Sequence, residues 1–196
     1  MSDPLIDAAD DAATPLSPEE RDGLIPSYII LRRELNEAEQ IGIADADRWA
    51  SSRKRNALDE GFLRRLHGRM FGGVWRWAGE YRRSERNIGV DHWRIETELR
   101  QLLDDVRYWI GQGSFTSDEI AARFHHRLTW IHPFPNGNGR FSRLTADLLA
   151  VQLGRERFTW GAGDLIGAAE VRRRYVAALR AADSHDYRPL MEFVRS

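Results

Sequence analysis

Apolar positions recur at helical spacing along most of this chain. Leu58, Phe62, Leu66, Met70 and Phe71 share one face of a helix predicted over 58–71, which Gly72 and Gly73 end. Ile95, Leu99, Leu102, Leu103 and Val106, with Trp109 or Ile110, form a second amphipathic face over 95–110. Thr116 to Glu119 reads as a capping box ahead of the apolar run 120–130. Further helices are predicted over 138–154, 168–182 and 187–194, and two earlier ones over 25–40, starting after Pro26, and 44–55. Residues 74–81 carry Trp75 and Trp77 in a short irregular segment, where both rings are expected to anchor a loop. Residues 82–93 alternate poorly and contain Asn87 and Gly89, which predicts a short β-hairpin flap. The stretch 155–163 is a connector with Phe158 and Trp160 turned into the core. The fold class that follows is all-α with a short β-hairpin flap.

Composition narrows the classes without choosing one. A chain of 196 residues is long enough for one sizeable domain with its own core. The net charge of -1 gives no global attraction to nucleic acid or to an anionic membrane, so neither is expected as a direct partner. Arg53-Lys54-Arg55 and Arg172-Arg173-Arg174 read as solvated helix faces. The absence of cysteine removes disulfide and thiol chemistry and fits a cytoplasmic setting. No apolar run reaches membrane-spanning length. The acidic, Ala-rich first residues lack the order of a signal peptide, and 1–20 is expected to be a flexible tail.

The chemistry concentrates between Ile131 and Arg143, I-H-P-F-P-N-G-N-G-R-F-S-R. His132 can take a proton near neutral pH. Gly137 and Gly139 let backbone approach an anion. Arg140 and Arg143 lie three apart and share a helix face, and their guanidinium forks suit phosphate oxygens. The motif is a loop running into a helix N-terminus, whose unpaired N–H groups and dipole favour phosphate. Neither a P-loop nor a dinucleotide-fold glycine pattern is present.

The string H-P-F-P-N-G-N-G-R-F-S-R resembles the signature of Fic domain proteins, H-x-F-x-[D/E]-G-N-G-R-x-x-R. The likeness extends to Phe62–His67, Met70-Phe71, Trp77-Ala-Gly79 and Tyr81, Ile88-Gly-Val90, Tyr175–Leu179 and Pro189-Leu190, and covers 58–194 as a Fic domain. Residues 21–57 are then an N-terminal helical extension. Within it, and just before it, Thr14-Pro-Leu16, Gly23–Pro26 and Leu35-Asn36-Glu37 are similar to the mobile mystery protein B subgroup. The resemblance implies transfer of AMP from ATP to a Ser, Thr or Tyr hydroxyl of a target protein, in a toxin-like or regulatory role. It implies His132 as general base, Phe134 as a buried anchor, and Asn136 at the position of the metal ligand for Mg2+ or Mn2+. It also implies that the backbone of Gly137, Asn138 and Gly139, with Arg140 and Arg143, holds the phosphates. For the subgroup it implies a separately encoded helix-turn-helix partner of antitoxin type.

Three points depart from the family or stay open. Asn136 stands where the family has Asp or Glu, and an amide oxygen brings no charge to a hard cation. The competing function is therefore a nucleotide-binding interaction module with weak or no transfer. Gly139, where a phosphate-transferring branch has Lys, implies the AMP-transferring orientation. Asn56-Ala-Leu-Asp-Glu60-Gly61 is the nearest string to the family's self-inhibiting helix, with a plain helix start as the preferred reading. Tyr175 has two readings, packing or lining an adenine pocket, and Asp147 is placed to pair with Arg143 or to make a plain surface pair. One of His125 and His126 is expected to pack and the other to face solvent. Residues Arg83, Asn87, Ile88, Gly89 and Val90 are expected to dock the target backbone along a strand edge.

Overall fold

The computed structural model describes residues 21–163 and 167–196, and the tail expected over 1–20 lies outside them. The helix α1 (Arg32–Ser51), the first with both ends among the described residues, begins where Glu34 turns back to accept the Ile30 and Leu31 backbone N–H groups at 3.0 Å each. It runs unbroken through the two helices predicted over 25–40 and 44–55, while 25–31 is turn and coil. The joint between those two predictions holds Gly42. A Cβ there would lie 2.3 Å from the Met70 carbonyl oxygen, so the glycine serves a close helix crossing and is no break.

α2 (Glu60–Phe71) starts at Asp59, whose side chain accepts from the Phe62 N–H. α3 (Ile95–Gln112) follows a single 3-10 turn, His92–Arg94, and buries Ile95, Leu99, Leu102, Leu103 and Val106 as the spacing requires. α4 (Ser117–Ile131) is capped by Thr116, which accepts from the Glu119 N–H. α5 (Asn138–Gln152), α6 (Ala168–Asp183) and α7 (Arg188–Arg195) complete the list.

α4 and α5 form the central hairpin. α4 packs on α3, α5 and α7, and α5 also meets α1 and α2. Phe124, Leu128, Ile131, Ala146, Leu149 and Leu190 fill the space between them. The turn of this hairpin is the 132–137 loop, so the candidate chemistry sits where two core helices converge.

The predicted β-hairpin is not formed. Among the described residues there is no strand, only an isolated antiparallel bridge between Leu24 and Trp75. Residues 82–91 are bends and coil, because their backbone groups pair with the 131–133 loop and with a buried side chain instead of with each other. No helix among the described residues is long and apolar enough to cross a membrane.

Candidate active site

The loop after α4 is stitched by one side chain. Asn138 accepts the Phe134 N–H through Oδ1 at 2.9 Å and donates from Nδ2 to the Phe134 carbonyl at 2.8 Å. This small ring closes the loop and fixes the start of α5. Phe134 is buried between Phe141, at 5.0 Å, and the imidazole of His67, stacked at 3.7 Å. His67 Nδ1 accepts the Gly79 N–H at 3.0 Å, so the ring proton is on Nε2 and is donated to the Asn136 carbonyl at 3.1 Å. Full burial holds this imidazole at about 3, against 6.5 for a free one, and keeps it neutral. His67 thus props the loop from below, a part its apolar helix face gave no reason to expect.

His132 occupies the C-cap of α4 in the left-handed region, φ 54° and ψ 60°. It is only 6% exposed. Burial, and then the nearby Arg82 guanidinium, hold its pKa at about 4, well below the near-neutral value read from the sequence. The flap covers it. A Cβ on Gly89 would fall 2.7 Å from His132 Cβ.

Gly137 is the N-cap of α5 at φ 77°, and a Cβ there would strike the Phe71 ring at 2.6 Å. At Gly139 a Cβ would meet nothing within 4 Å, so packing does not demand that glycine and open space lies above the helix start. The first amides of α5 have no intrahelical acceptor, which leaves them to face an anion. Arg140 and Arg143 follow on the first turns. Arg143 lies over the Tyr175 ring at 5.6 Å, and Tyr175 shares a 3.0 Å hydrogen bond with His125 Nε2. Tyr175 is partly exposed, bonded to His125 on one side and beneath Arg143 on the other.

Arg140 pairs with a residue that the sequence did not single out. Its Nη1 lies 2.8 Å from Glu39 Oε2, and Glu39 Oε1 accepts from Trp75 Nε1 at 2.8 Å. Glu39 is 4% exposed and comes from α1. Glu60, in the string nearest the self-inhibiting pattern, faces Tyr81 and Arg100 instead. Asp147 does not pair with Arg143. It is buried, accepts from the Phe158 N–H at 3.2 Å and Trp160 Nε1 at 3.0 Å, and burial raises its carboxyl to about 6. His125 and His126 are both buried, the second between Asp183 and Tyr187, so neither faces solvent.

The Asn136 side-chain oxygen accepts the Gly137 N–H at 2.6 Å. Among the described residues no group of three or more His, Cys, Asp or Glu side chains is placed to hold a metal ion. One neutral, already engaged oxygen does not fit a resident Mg2+, which prefers charged oxygen ligands.

The 83–89 part of the flap is exposed except for a half-buried Arg86, with Ile88 outward, while Val90 is buried. The Val90 N–H is given to the Ile131 carbonyl at 3.4 Å, and its own carbonyl accepts from Arg82. The Val90 backbone is therefore spent within the chain. It anchors the flap, and only 83–89 is left to dock anything.

Residues 57–150 match the Fic/DOC family. The chain is 34% identical over 101 residues to protein adenylyltransferase fic-1 of Caenorhabditis elegans, a match covering 50% of this chain and 18% of that one. It is 30% identical over 120 residues to protein adenylyltransferase Fic of Aedes aegypti, covering 60% and 23%. The chain thus spans about a quarter or less of the length of these relatives. In fold it is similar to the N-terminal FIC domain of Bep8 protein from Bartonella sp. 1-1C, with a TM-score of 0.69 and 17% identity, covering 90% of this chain and 95% of that one.

Proposed function

We propose that this chain, whose residues 57–150 form a Fic/DOC family domain, transfers AMP from ATP to a Ser, Thr or Tyr hydroxyl of a target protein. One observation carries the reading. A buried, uncharged imidazole ends α4 on the same short loop that feeds two arginines into the start of α5. The relatives named protein adenylyltransferase support the same reaction class.

In the reaction the hydroxyl oxygen forms a bond to the α-phosphorus. The bond from that phosphorus to the oxygen shared with the β-phosphate breaks, and pyrophosphate leaves with the electron pair. His132 takes the hydroxyl proton. Its depressed pKa keeps the accepting form populated at neutral pH, and also makes it a weaker base than a free imidazole. Most of the rate enhancement then comes from positioning and from charge stabilisation by the α5 amides, Arg140 and Arg143. ATP would bring Mg2+ or Mn2+ with it as part of the substrate, and Asn136, whose oxygen is engaged by the Gly137 N–H, would add no charged ligand to it. The exposed 83–89 segment receives the target, with Val90 as its anchor. A toxin-like role extends the reading from the family resemblance, a cytoplasmic site of action from the lack of cysteine, and a helix-turn-helix partner from the N-terminal strings.

Incubation with α-labelled ATP, Mg2+ or Mn2+ and a bacterial lysate tests the proposal. A protein band labelled from the α-position, absent with γ-label and absent for His132→Ala, is the expected result. Transfer retained in His132→Ala would sink it. A second reading, a nucleotide-responsive module without transfer, is favoured by the uncharged and engaged Asn136 oxygen. It predicts tight ATP binding, no labelled band, and gain of transfer in Asn136→Asp.

A further inference from the structure

Arg82 is 3% exposed. A buried guanidinium normally meets a carboxylate. Glu85 and Asp91 lie close enough to favour its charge, yet its hydrogen bonds go to main-chain carbonyls. Nε donates to His132 O at 2.7 Å and Nη1 to Ser84 O at 3.0 Å. Nη2 donates to Val90 O and, at 3.4 Å, to Ile131 O. The Arg82 backbone N–H adds a bond to Pro133 O at 2.9 Å. One residue therefore holds both ends of the flap, Ser84 and Val90, and three successive residues of the His132 loop. Gly89 seals the same joint, since a Cβ there would lie 2.8 Å from Arg82 Nη2 as well as against His132. The segment has no strand ladder, so this planar set of five donors supplies the order that a ladder would otherwise give.

We propose that Arg82 is a positioning residue that fastens the flap to the His132 loop, so that a target segment lying on the flap arrives in fixed register with the imidazole. This inference rests on the transfer reaction proposed above. The α5 amides and the two signature arginines lie outside the joint, so nucleotide affinity is independent of it. Lysine cannot replace the fork, because a single ammonium cannot span four carbonyls spread over two segments.

Hydrogen exchange and transfer kinetics on the full chain test the inference together. In Arg82→Met the amides of 83–91 exchange at least tenfold faster than in the unaltered protein. The value of kcat/KM for the target falls at least tenfold, while the Kd for ATP stays within twofold. Arg82→Lys keeps the charge and shows the same loosening. Unchanged exchange at 83–91 in Arg82→Met overturns the proposal. So does a target kcat/KM that falls only in step with ATP affinity, or an Arg82→Lys variant that behaves as wild type. If Arg82→Met does not fold, Gly89→Ala opens the same joint with the guanidinium in place, and the same split is expected. If the unaltered protein transfers nothing, the transfer reading fails, and the exchange data still decide whether Arg82 fastens the flap.

Discussion

Lowering the pH from 7 to 5 should remove a large part of this protein's stability, and three imidazoles set the size of the loss. His67 and His125 are held at about 3 and His132 at about 4, each chiefly by burial. The unfolded chain takes up these protons near 6.5, whereas the folded chain does so only two or more units lower. Falling pH therefore favours the unfolded state throughout that window. For each such group the loss between pH 7 and 5 is about 2 kcal/mol, whether its folded value is 3 or 4. Asp147 acts the other way. Its carboxyl, raised to about 6, binds a proton in the folded state first and returns about 1 kcal/mol over the same interval. The net loss is about 4–5 kcal/mol, against a typical total of roughly 5–15 kcal/mol for a folded domain. Carboxylates held low by arginine partners, such as Asp47 and Asp118, titrate below this window and do not mask the effect.

Urea unfolding followed by tryptophan fluorescence at pH 7 and pH 5 measures the difference directly. Imidazole NMR on the same samples should show His67, His125 and His132 failing to titrate above pH 5. A stability loss below about 1 kcal/mol, or these three histidines titrating near 6.5, would refute the burial of neutral imidazoles.

Gly137→Ala should lose about 1–3 kcal/mol from the positive φ alone, with more from displacing Phe71, and melt well below Gly139→Ala, whose new methyl meets open space. Asp147→Asn keeps an acceptor for Phe158 and Trp160 while removing a buried charge, so urea titration at pH 8 should show a gain of about 2–3 kcal/mol that shrinks by about 1 kcal/mol at pH 5. Glu39→Ala leaves Trp75 Nε1 and Arg140 without their shared acceptor and should cost about 2 kcal/mol by chemical denaturation, with Glu39→Gln, which can still accept from Trp75, costing less.

Helices with strong periodicity were legible. The spans 58–71, 95–110 and 187–194 lie within about two residues of α2, α3 and α7, because one buried face dictates each of them. The loop-to-helix motif was legible for a related reason, since its glycines, amide and arginines are all local. What escaped depends on contacts distant in sequence. Gly42 falls between the helices predicted over 25–40 and 44–55, and the Met70 carbonyl beside it explains why one helix runs through. Glu39 sits in a polar run with Asn36, Glu37 and Gln40, where nothing marks it as the one that is buried. The flap was misread as a hairpin because its order comes from a side chain that reaches across to another loop. Asp147 was misassigned because i,i+4 spacing placed it beside Arg143, while Phe158 and Trp160 drew it to the other side.

The long α1 helix changes what counts as one unit of this protein. The Fic/DOC match covers residues 57–150, and α1 ends before it at Ser51. Its Gly42 lies against the Met70 backbone, and its Glu39 pairs with Arg140 in the first turn of α5. A chain begun at residue 57 would bare the Trp75 ring and the flank of α2 to water, and leave Arg140 without its counter-charge. The 57–150 stretch that matches the family is therefore a recognisable portion of a larger folding unit that takes in α1, in keeping with a fold likeness that covers 90% of the chain.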